Sequence, residues 1–308
     1  MILCCGEALI DMIPAPTAQG DEGFVPHCGG AVYNTAVALG RLGAQTGMLT
    51  GLSTDMFGQQ LAQGLKASHV DVSHLVYSDR PTTLAFVRLV GGHATYEFYD
   101  ENSAGRMIEP GDMPALSPEI TALYFGGISL ACEPGADAYA ALLERNAARR
   151  AVMLDPNIRP SFIRDINRYR ARLDRMIGLA NIVKVSDEDL NWLTPEPLSL
   201  DDKVARLLGL GPSIVILTRG GDGATGYLAS GEAVQVAAQS AEIVDTVGAG
   251  DTYNAGVLAK LSELGALHPE GLANLDGMTL TSALEHGARV AAVTVSRAGA
   301  NPPWAGEL

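Results

Sequence analysis

Short apolar segments alternate with longer segments of helical periodicity along most of the chain. The clearest apolar segments, which we interpret as strands, are Ile2–Cys5, Val152–Asp155, Ile182–Val185 and Ile214–Thr218. They are apolar at successive positions, which is typical of parallel strands that helices cover on both faces. The pattern therefore predicts an α/β fold with a central, mostly parallel sheet and helices on both of its faces.

Helices are predicted between and after these strands, because apolar residues recur there at spacings of three and four. The predicted helices are Ala31–Leu42, Phe57–Ala67, Ala136–Arg149, Asp201–Leu208, Gly250–Glu263 and Leu280–Val295. Several of the strands stop at a polar residue, and the carboxyl ends of parallel strands commonly carry the functional groups. We therefore expect a site at that edge of the sheet.

Two segments do not follow the strand–helix series, approximately residues 12–28 and residues 82–102. In the second segment, Thr83–Val90 and Thr95–Tyr99 flank a Gly91-Gly92 turn, which predicts a β-hairpin. We expect both segments to form a small β-sheet that acts as a lid. No repeat or long linker divides the chain, so we predict one domain over residues 1–308 with this lid inserted.

The charge balance excludes some classes of partner. The chain has 21 basic and 35 acidic residues, a formal net charge of −14, which disfavours nucleic acid and anionic membranes as partners. A phosphate-bearing ligand would therefore need glycine-rich backbone donors. The start of the chain lacks a basic segment and reaches Glu7 too early for a signal peptide, so we expect a cytoplasmic protein.

The strongest local motif is the run 245–251, DTVGAGD, which precedes an apolar helical segment. Gly248, Ala249 and Gly250 would leave backbone N–H groups free at a helix N-terminus, where they could bind an oxyanion or a transferring phosphoryl group. Asp251 would lie beside that anion hole and could accept a proton as a general base. The alternative interpretation is a glycine-rich turn in which Asp251 only complements the helix dipole.

A second motif begins at Gly29 and Gly30, again before a predicted helix, with Asn34 one turn further on. The Asn34 amide can donate and accept hydrogen bonds, which suits neutral hydroxyl groups. Asp11 could accept hydrogen bonds from two neighbouring sugar hydroxyls. The alternatives are that Asn34 lies on a solvated helix face and that Asp11 caps a neighbouring element.

A third motif is the run 218–223, TRGGDG, directly after a predicted strand. Its exposed amides and Arg219 could contact the phosphates of a nucleotide. Such a run is also typical of a hairpin turn.

Taken together and in this order, the Gly-Gly-Ala-x-x-Asn and Asp-Thr-x-Gly-Ala-Gly-Asp motifs resemble the two signatures of the PfkB, or ribokinase-like, carbohydrate kinases. The likeness extends over essentially the whole chain and is greatest to bacterial fructokinase members. It implies a ribokinase-like fold and ATP-dependent transfer of the γ-phosphoryl group to a sugar hydroxyl. It also implies that Asp251 is the catalytic base, that Gly248 to Gly250 form the anion hole, and that Asp11, Gly29, Gly30 and Asn34 hold the sugar.

The same resemblance implies residues for the nucleotide and the metal ions. Thr218, Gly220 and Gly223 would lie under ATP, with Arg219 near its phosphates, and His286 and Ala288 would belong to the adenine pocket. Lys184 and Ser186 would also lie near the nucleotide. Asp189 would contact Mg²⁺ through water, although Ser186 and Asp189 replace the Asn and Glu of the family's Asn-x-x-Glu motif. Asp245 and Val247 would offer carbonyl ligands to K⁺.

The identity of the sugar depends on two further runs. The run 155–159, DPNIR, resembles one shared by fructokinases and 2-keto-3-deoxygluconate kinases, which implies that Arg159 contacts the substrate. In the lid, Tyr99 would contact the substrate and Asp100 stands where the ketodeoxygluconate enzymes have an Arg. An Asp there would repel an acid sugar, so we expect fructose to be the substrate and the protein to be a fructokinase. The alternatives are a 2-keto-3-deoxygluconate kinase or another PfkB sugar or nucleoside kinase. Pairing of lid edges in the family suggests a homodimer.

The sequence disfavours two other classes of protein. An NAD-dependent oxidoreductase is disfavoured because the first strand is followed by Gly6 alone and not by a GxGxxG run. A non-catalytic sugar-sensing protein is disfavoured because Asp251 and the glycine run before it are retained.

Overall fold

The structure is a computed structural model that describes residues 1–90 and 93–308, without the side chains of residues 88–90 and 93–95. The predicted Gly91-Gly92 turn lies outside the described residues. The strands are β1 (Ile2–Cys5), β2 (Leu9–Pro16), β3 (Glu22–Gly29), β4 (Thr46–Leu49), β5 (Gly51–Ser53), β6 (Val76–Ser78), β7 (Leu84–Val90), β8 (His93–Tyr99), β9 (Ala122–Gly126), β10 (Ala151–Asp155), β11 (Ile182–Ser186), β12 (Ile214–Thr218), β13 (Ala224–Leu228) and β14 (Ala233–Val236). The helices are α1 (Ala31–Arg41), α2 (Met56–Ala67), α3 (Gly135–Asn146), α4 (Ile166–Leu179), α5 (Asp187–Leu193), α6 (Leu200–Leu208), α7 (Ala249–Glu263), α8 (Pro269–Ala273) and α9 (Gly277–Val295).

The main sheet has eight strands in the order β14-β13-β12-β11-β10-β9-β1-β4. The strands from β12 to β4 are parallel to their neighbours, whereas β13 and β14 pair antiparallel at one edge. The predicted mostly parallel sheet is therefore confirmed. Its parallel strands end at one edge, so their carboxyl ends lie together.

Helices cover both faces of this sheet, as the apolar strands predicted. In β1, Ile2 and Cys4 belong to one apolar core, with residues of α1, α7 and α9, while Leu3 and Cys5 belong to a second core, with residues of α3 and α4. Successive side chains of a strand point to opposite faces. A strand buried at every position therefore requires apolar partners on both sides.

The two segments outside the strand–helix series form a separate four-stranded sheet in the order β3-β2-β7-β8. β2 pairs with β3 antiparallel and with β7 in parallel, and β7 pairs antiparallel with β8. The predicted small sheet is confirmed. We refer to β2, β3, β7 and β8 as the small sheet below.

None of the helices in the described parts of the chain is long and apolar enough to cross a membrane.

Candidate active site

The N-terminus of α7 carries the central motif. Gly248 precedes the helix with φ of +77°, and a Cβ there would lie 2.6 Å from the Cβ of Ala300. A larger residue would therefore be strained and would collide with Ala300. The first bond of the regular helical pattern is from Thr252 N–H to Gly248 O (2.9 Å), so the N–H groups of Gly250 and Asp251 precede that ladder. The Ala249 N–H donates to Thr246 O (3.3 Å), so the amides of Gly250 and Asp251 are the better candidates for anion binding.

Asp251 lies in the first turn of α7 and is only 8% exposed. Its Oδ2 accepts a hydrogen bond from Asn34 Nδ2 (2.9 Å), and its backbone carbonyl accepts one from Thr35 Oγ1 (3.1 Å). Burial raises the pKa of the Asp251 carboxyl to about 7. A carboxylate with a pKa near neutrality is suited to accept a proton from a substrate hydroxyl.

A cavity of about 570 Å³ lies in front of this carboxylate, at the carboxyl edge of the main sheet. It is lined by ten of the residues predicted from the sequence: Asp11, Gly30, Asn34, Arg159, Lys184, Val247, Gly248, Ala249, Gly250 and Asp251. Residues separated by more than two hundred positions are thus brought together. We call this space the polar cavity.

Asp11 enters the polar cavity from β2. Burial raises the pKa of its carboxyl to about 6. Gly29 does not itself line the cavity, but a Cβ at Gly29 would lie 2.0 Å from Asp11 Oδ2. Gly29 therefore leaves the space that the Asp11 carboxylate occupies.

A second cavity, of about 340 Å³ and mostly apolar, lies on the other side of the α7 N-terminus. Thr218, Gly220, Gly223 and Ala288 line it, together with small apolar side chains of α9. Thr246, Ala249 and Gly250 line both cavities. The two cavities therefore meet where α7 begins, and we call the second one the apolar cavity.

Lys184 brings a positive charge to this junction. Its Nζ lies 3.1 Å from Asp155 Oδ2, and Asn254 Nδ2 donates to the same oxygen (2.7 Å). Burial acts to lower the pKa of Lys184, but the charge and hydrogen bond of Asp155 outweigh it and raise the pKa above its ordinary value. A Cβ on Gly250 would lie 3.4 Å from Lys184 Nζ, so a protonated ammonium lies beside the start of α7.

Tyr99 is not brought to the polar cavity. Its side chain is on the opposite face of β8, is 53% exposed, and donates to Glu97 Oε1 (3.2 Å). Because side chains alternate along a strand, Tyr96 and Phe98 line the cavity instead. The ring of Phe98 packs edge-to-face against Phe162, which lies between β10 and α4, with centroids 4.5 Å apart.

Ser186 and Asp189 form the capping box of α5 and line neither cavity. The Asp189 carboxylate accepts hydrogen bonds from Ser186 N, Ser186 Oγ and Ile158 N. Within residues 1–90 and 93–308, no group of three or more His, Cys, Asp or Glu side chains is arranged to hold a metal ion.

His286 lies apart from Ala288 although both belong to α9. Residues two apart on a helix differ by about 200° in direction, and Ala288 alone of the two lines the apolar cavity. His286 lies in another cleft, where its Nδ1 is 3.2 Å from Arg289 Nη2. Arg219 also lines neither cavity, and its Nη2 approaches Thr225 Oγ1 (3.4 Å).

The carboxylate of Asp245 is used within its own loop. It accepts hydrogen bonds from Val247 N (3.0 Å) and Gly299 N (2.9 Å). Asp245 thereby joins the loop before α7 to the turn after α9.

The structure overturns the argument from Asp100. Asp100 is buried, forms an ion pair with Arg106 (2.7 Å), and does not line the polar cavity. A carboxylate that is neutralised and points elsewhere does not repel an acid sugar from this cavity. Asp100 therefore gives no reason to prefer a neutral sugar.

The sequence interpretation did not name Glu7, Tyr96, Phe98, Asp155 and Phe162 as site residues, although all of them line the polar cavity. Glu7 follows β1 and Asp155 ends β10. The rule that polar residues at the ends of parallel strands form the site could have identified both. The three aromatic residues carry no comparable signal in the sequence.

The pfkB family carbohydrate kinase model matches residues 1–305 of the chain. The chain belongs to this family. A pfkB carbohydrate kinase is a sugar phosphotransferase, which agrees with two cavities that meet beside a buried carboxylate. The chain is 50% identical to a fructokinase of Rhizobium leguminosarum bv. trifolii over 280 residues, which cover 91% of this chain and 85% of that protein.

Solved structures of fructokinases share the fold of this pfkB kinase. A fructokinase from Xylella fastidiosa with bound ATP has a TM-score of 0.89 and 26% identity, covering 97% of this chain and 93% of that chain. A double mutant of a fructokinase from Vibrio cholerae O395, in a form with fructose, ADP and potassium ion bound, has a TM-score of 0.83 and 25% identity, with the same coverage of both chains.

Proposed function

We propose that the protein is an ATP-dependent fructokinase, which transfers the γ-phosphoryl group of ATP to a hydroxyl of fructose. The observation that carries the proposal is the position of Asp251. Its buried carboxylate, with a pKa of about 7, lies in the polar cavity, at the helix end where the apolar cavity also begins. A general base is needed at such a junction between an alcohol and a nucleotide.

The polar cavity is the proposed sugar site. Asp11 and Asn34 would bind sugar hydroxyls, and Gly29 and Gly30 would leave room for the site. Arg159 would also contact the sugar. Tyr99 faces away from the cavity, so Tyr96 and Phe98 are the proposed aromatic contacts to the sugar. Aromatic faces and edges suit the apolar side of a sugar ring.

The apolar cavity is the proposed nucleotide site. Thr218, Gly220 and Gly223 would lie under ATP, and Ala288 would contact the adenine. His286 and Arg219 do not line this cavity and are not among the proposed contacts. The size and small side chains of the cavity fit a flat base. Lys184 and the amides of Gly250 and Asp251 would then lie at the transferring phosphoryl group.

The transfer follows from this arrangement. The attacking hydroxyl oxygen forms a bond to the γ-phosphorus, the bond from that phosphorus to the β,γ-bridging oxygen breaks, and ADP leaves. Asp251 accepts the hydroxyl proton. The helix N-terminus and Lys184 stabilise the charge on the phosphoryl oxygens.

Mg²⁺ and K⁺ are the proposed metal ions. Mg²⁺ would be held mainly by the ATP phosphates and would neutralise part of their charge. Asp189 accepts three hydrogen bonds, which leaves a carboxylate one acceptor position for a magnesium-bound water. The carbonyls of Asp245 and Val247 are the proposed K⁺ ligands, and the Vibrio cholerae relative is described with a potassium ion.

We further propose one kinase domain over residues 1–308, in which the small sheet acts as a lid. Phe98 of the small sheet already packs on Phe162, which lies outside the small sheet, between β10 and α4. Closure over the sugar would exclude water, which competes with the sugar as acceptor. The outer strands of the small sheet could also pair between two chains and form a homodimer.

We propose fructose as the substrate instead of 2-keto-3-deoxygluconate because of the similarity to fructokinases. The 50% identical relative is a fructokinase, and the solved Vibrio cholerae relative is described with fructose. Arg159 and Lys184, which line the polar cavity, are also compatible with an acid sugar. The second candidate is therefore tested directly.

The deciding experiment measures ADP release by the purified protein with ATP, Mg²⁺ and a panel of sugars. The panel contains fructose, 2-keto-3-deoxygluconate, ribose, adenosine and fructose phosphates, with and without K⁺, and the Asp251→Asn variant is the control. We expect the highest kcat/KM with fructose. A higher value for another acceptor would replace fructose, and no release above the control with any acceptor would reject the kinase.

A further inference from the structure

A buried carboxylate that the proposed transfer does not use lies directly after β1. Glu7 is 9% exposed and lines the polar cavity together with Asn34 and Asp251. Burying a carboxylate is costly unless it accepts hydrogen bonds. Its partners therefore show what Glu7 does.

Glu7 accepts hydrogen bonds from the beginning of α1. Its Oε1 accepts from Ala31 N (3.1 Å), and its backbone carbonyl accepts from Tyr33 N (3.2 Å). Ala31 and Tyr33 are the first and third residues of α1, whose N–H groups have no partner within the helix. The residue before the helix, Gly30, makes no side-chain capping bond. Glu7 thus caps α1 from a different part of the chain.

The same carboxylate is held from a third direction, and two glycines leave room for it. Glu7 Oε2 accepts from Ser129 N (3.2 Å). A Cβ on Gly127, which has φ of +67°, would lie 1.9 Å from Glu7 Oε1, and a Cβ on Gly30 would lie 3.0 Å from Glu7 O. Both loops are therefore shaped around Glu7.

The capped turn of α1 leads directly to the proposed base. Asn34 N–H donates to Gly30 O (2.8 Å), so Asn34 lies one turn from the cap, and its side-chain amide donates to Asp251 Oδ2 (2.9 Å). The next residue, Thr35, donates to the Asp251 carbonyl (3.1 Å). A shift in the first turn of α1 would therefore move both groups that contact Asp251.

We propose that Glu7 is a positioning residue, which caps the first turn of α1 from the end of β1 and thereby holds Asn34 against the Asp251 carboxylate. This role rests on the proposed function, in which Asp251 is the base. It makes Glu7 part of the alignment of the base and not a contact to the sugar.

The pH dependence of the reaction distinguishes positioning from a simple charge effect. Burial raises the pKa of Asp251, the Asn34 hydrogen bond lowers it, and weaker contributions come from Asp155, Lys184 and Glu7. Asp11 and Arg159 line the same cavity. Losing the Asn34 bond would raise the pKa of Asp251 further, whereas losing only the Glu7 charge would lower it. Because the Asn34 bond is the larger contribution, positioning predicts a rise.

The first test is Glu7→Gln, with Asp165→Asn as the matched control. Asp165 also receives two backbone N–H bonds at a helix N-terminus, that of α4, but lines neither cavity. We expect Glu7→Gln to lower kcat by about 10- to 100-fold, because a small misplacement of a catalytic group has effects of this size. The acid limb, which is the fall of kcat/KM on the low-pH side of its pH profile, should move to higher pH. Asp165→Asn should leave kcat and the limb unchanged.

Two further variants keep the test decisive. Glu7→Asp retains the charge but is shorter, so it should also move the limb to higher pH, and it replaces Glu7→Gln if that variant does not fold. In an Asn34→Ala background, Glu7→Gln should cause no further upward shift. An acid limb that stays or moves to lower pH, or a change confined to KM for the sugar, would overturn the positioning role.

Hydrogen exchange separates this proposal from the proposed function. Without any substrate, the backbone amides of residues 31–35 should exchange faster in Glu7→Gln than in the wild-type protein. Unchanged exchange would overturn the capping role whatever the activity. If the wild-type protein phosphorylates no sugar, the proposed function fails, and the capping role is still decided by this exchange measurement.

Discussion

The side-chain amide of Asn34 lies 2.9 Å from the carboxylate of Asp251, across 217 positions of sequence. This bond joins the first turn of α1 to the first turn of α7, so the proposed sugar-binding amide and the proposed base are in direct contact. Asn34 donates with its Nδ2, which leaves its carbonyl oxygen to accept from a sugar hydroxyl. A hydroxyl placed by Asn34 is thereby placed beside Asp251.

Replacing Asp251 by Asn should abolish most activity without unfolding the protein. An amide cannot accept the proton but can still accept the Asn34 hydrogen bond. We expect kcat to fall by about 10²- to 10⁴-fold. The folded-state pKa of about 7 is above the ordinary value of 3.8, so ionised Asp251 opposes folding above pH 7. Thermal unfolding at pH 8 should therefore show the variant to be at least as stable as the wild-type protein.

The pH profile of the wild-type protein should follow Asp251. The base must be ionised, so kcat/KM should fall as the pH drops through about 7. The Asp11 carboxyl, with a pKa of about 6, should steepen the limb at lower pH. In Asp11→Asn the steeper part should disappear while the midpoint near 7 remains. A profile that is flat from pH 5 to pH 8 in steady-state assays would contradict the assignment of the base.

Most of the fold could be predicted because its strands carry a strong local signal. β1 and β12 have the predicted bounds, and the predicted helices overlap α1, α2, α3, α6, α7 and α9. β9 and α4 were not predicted. α4 buries Tyr169, Leu173, Met176 and Ile177, but the same face contains Arg172, which is buried through ion pairs with Glu133 and Asp137. A charged residue in the middle of an apolar stripe weakens the periodic signal from which a helix is predicted.

The candidate site could be predicted as far as its glycine-rich turns extend. Asp11, Asn34 and Asp251 line one cavity, as their motifs together with the resemblance to the PfkB kinases led us to expect. Tyr99 and His286 were misplaced because their direction depends on which face of a strand or helix meets the cavity, and a motif does not contain that information. The position of Asp155 at a strand end could be read from the sequence, but its pairing with Lys184 and Asn254 could not, since these partners come from two other elements.

Breaking the ion pair between Lys184 and Asp155 should cost both stability and activity. Lys184→Met leaves the Asp155 carboxylate buried without its cation, and removing one partner of a buried pair costs about 3–5 kcal/mol. Adding Asp155→Asn should recover much of this stability in denaturant unfolding. Activity should stay low in the double variant because the ammonium at the phosphoryl group is missing. Recovery of activity together with stability would show that Lys184 has only a structural role.

Phe98 and Tyr99 should respond differently to truncation. Phe98 lines the polar cavity and packs on Phe162, whereas Tyr99 faces away. We expect Phe98→Ala to raise KM for the sugar by about 3- to 10-fold, since an aromatic pair contributes about 0.5–1.5 kcal/mol. Tyr99→Ala should leave KM for the sugar nearly unchanged. Equal effects in steady-state kinetics would mean that β8 presents its other face to the sugar.

Gly223 should tolerate no side chain, although its neighbour Gly221 should tolerate one. Both line the apolar cavity, but Gly223 has φ of +87° and a Cβ there would lie 2.1 Å from Val236 O, whereas a Cβ on Gly221 would meet nothing within 4 Å. With ψ of −146°, Gly223 lies in a backbone region that is essentially restricted to glycine and costs another residue about 1–3 kcal/mol before any collision. Gly223→Ala should therefore lower the unfolding temperature and weaken ATP binding in calorimetry, while Gly221→Ala changes neither. Equal ATP affinity in the two variants would show that the turn at Gly223 does not shape the nucleotide site.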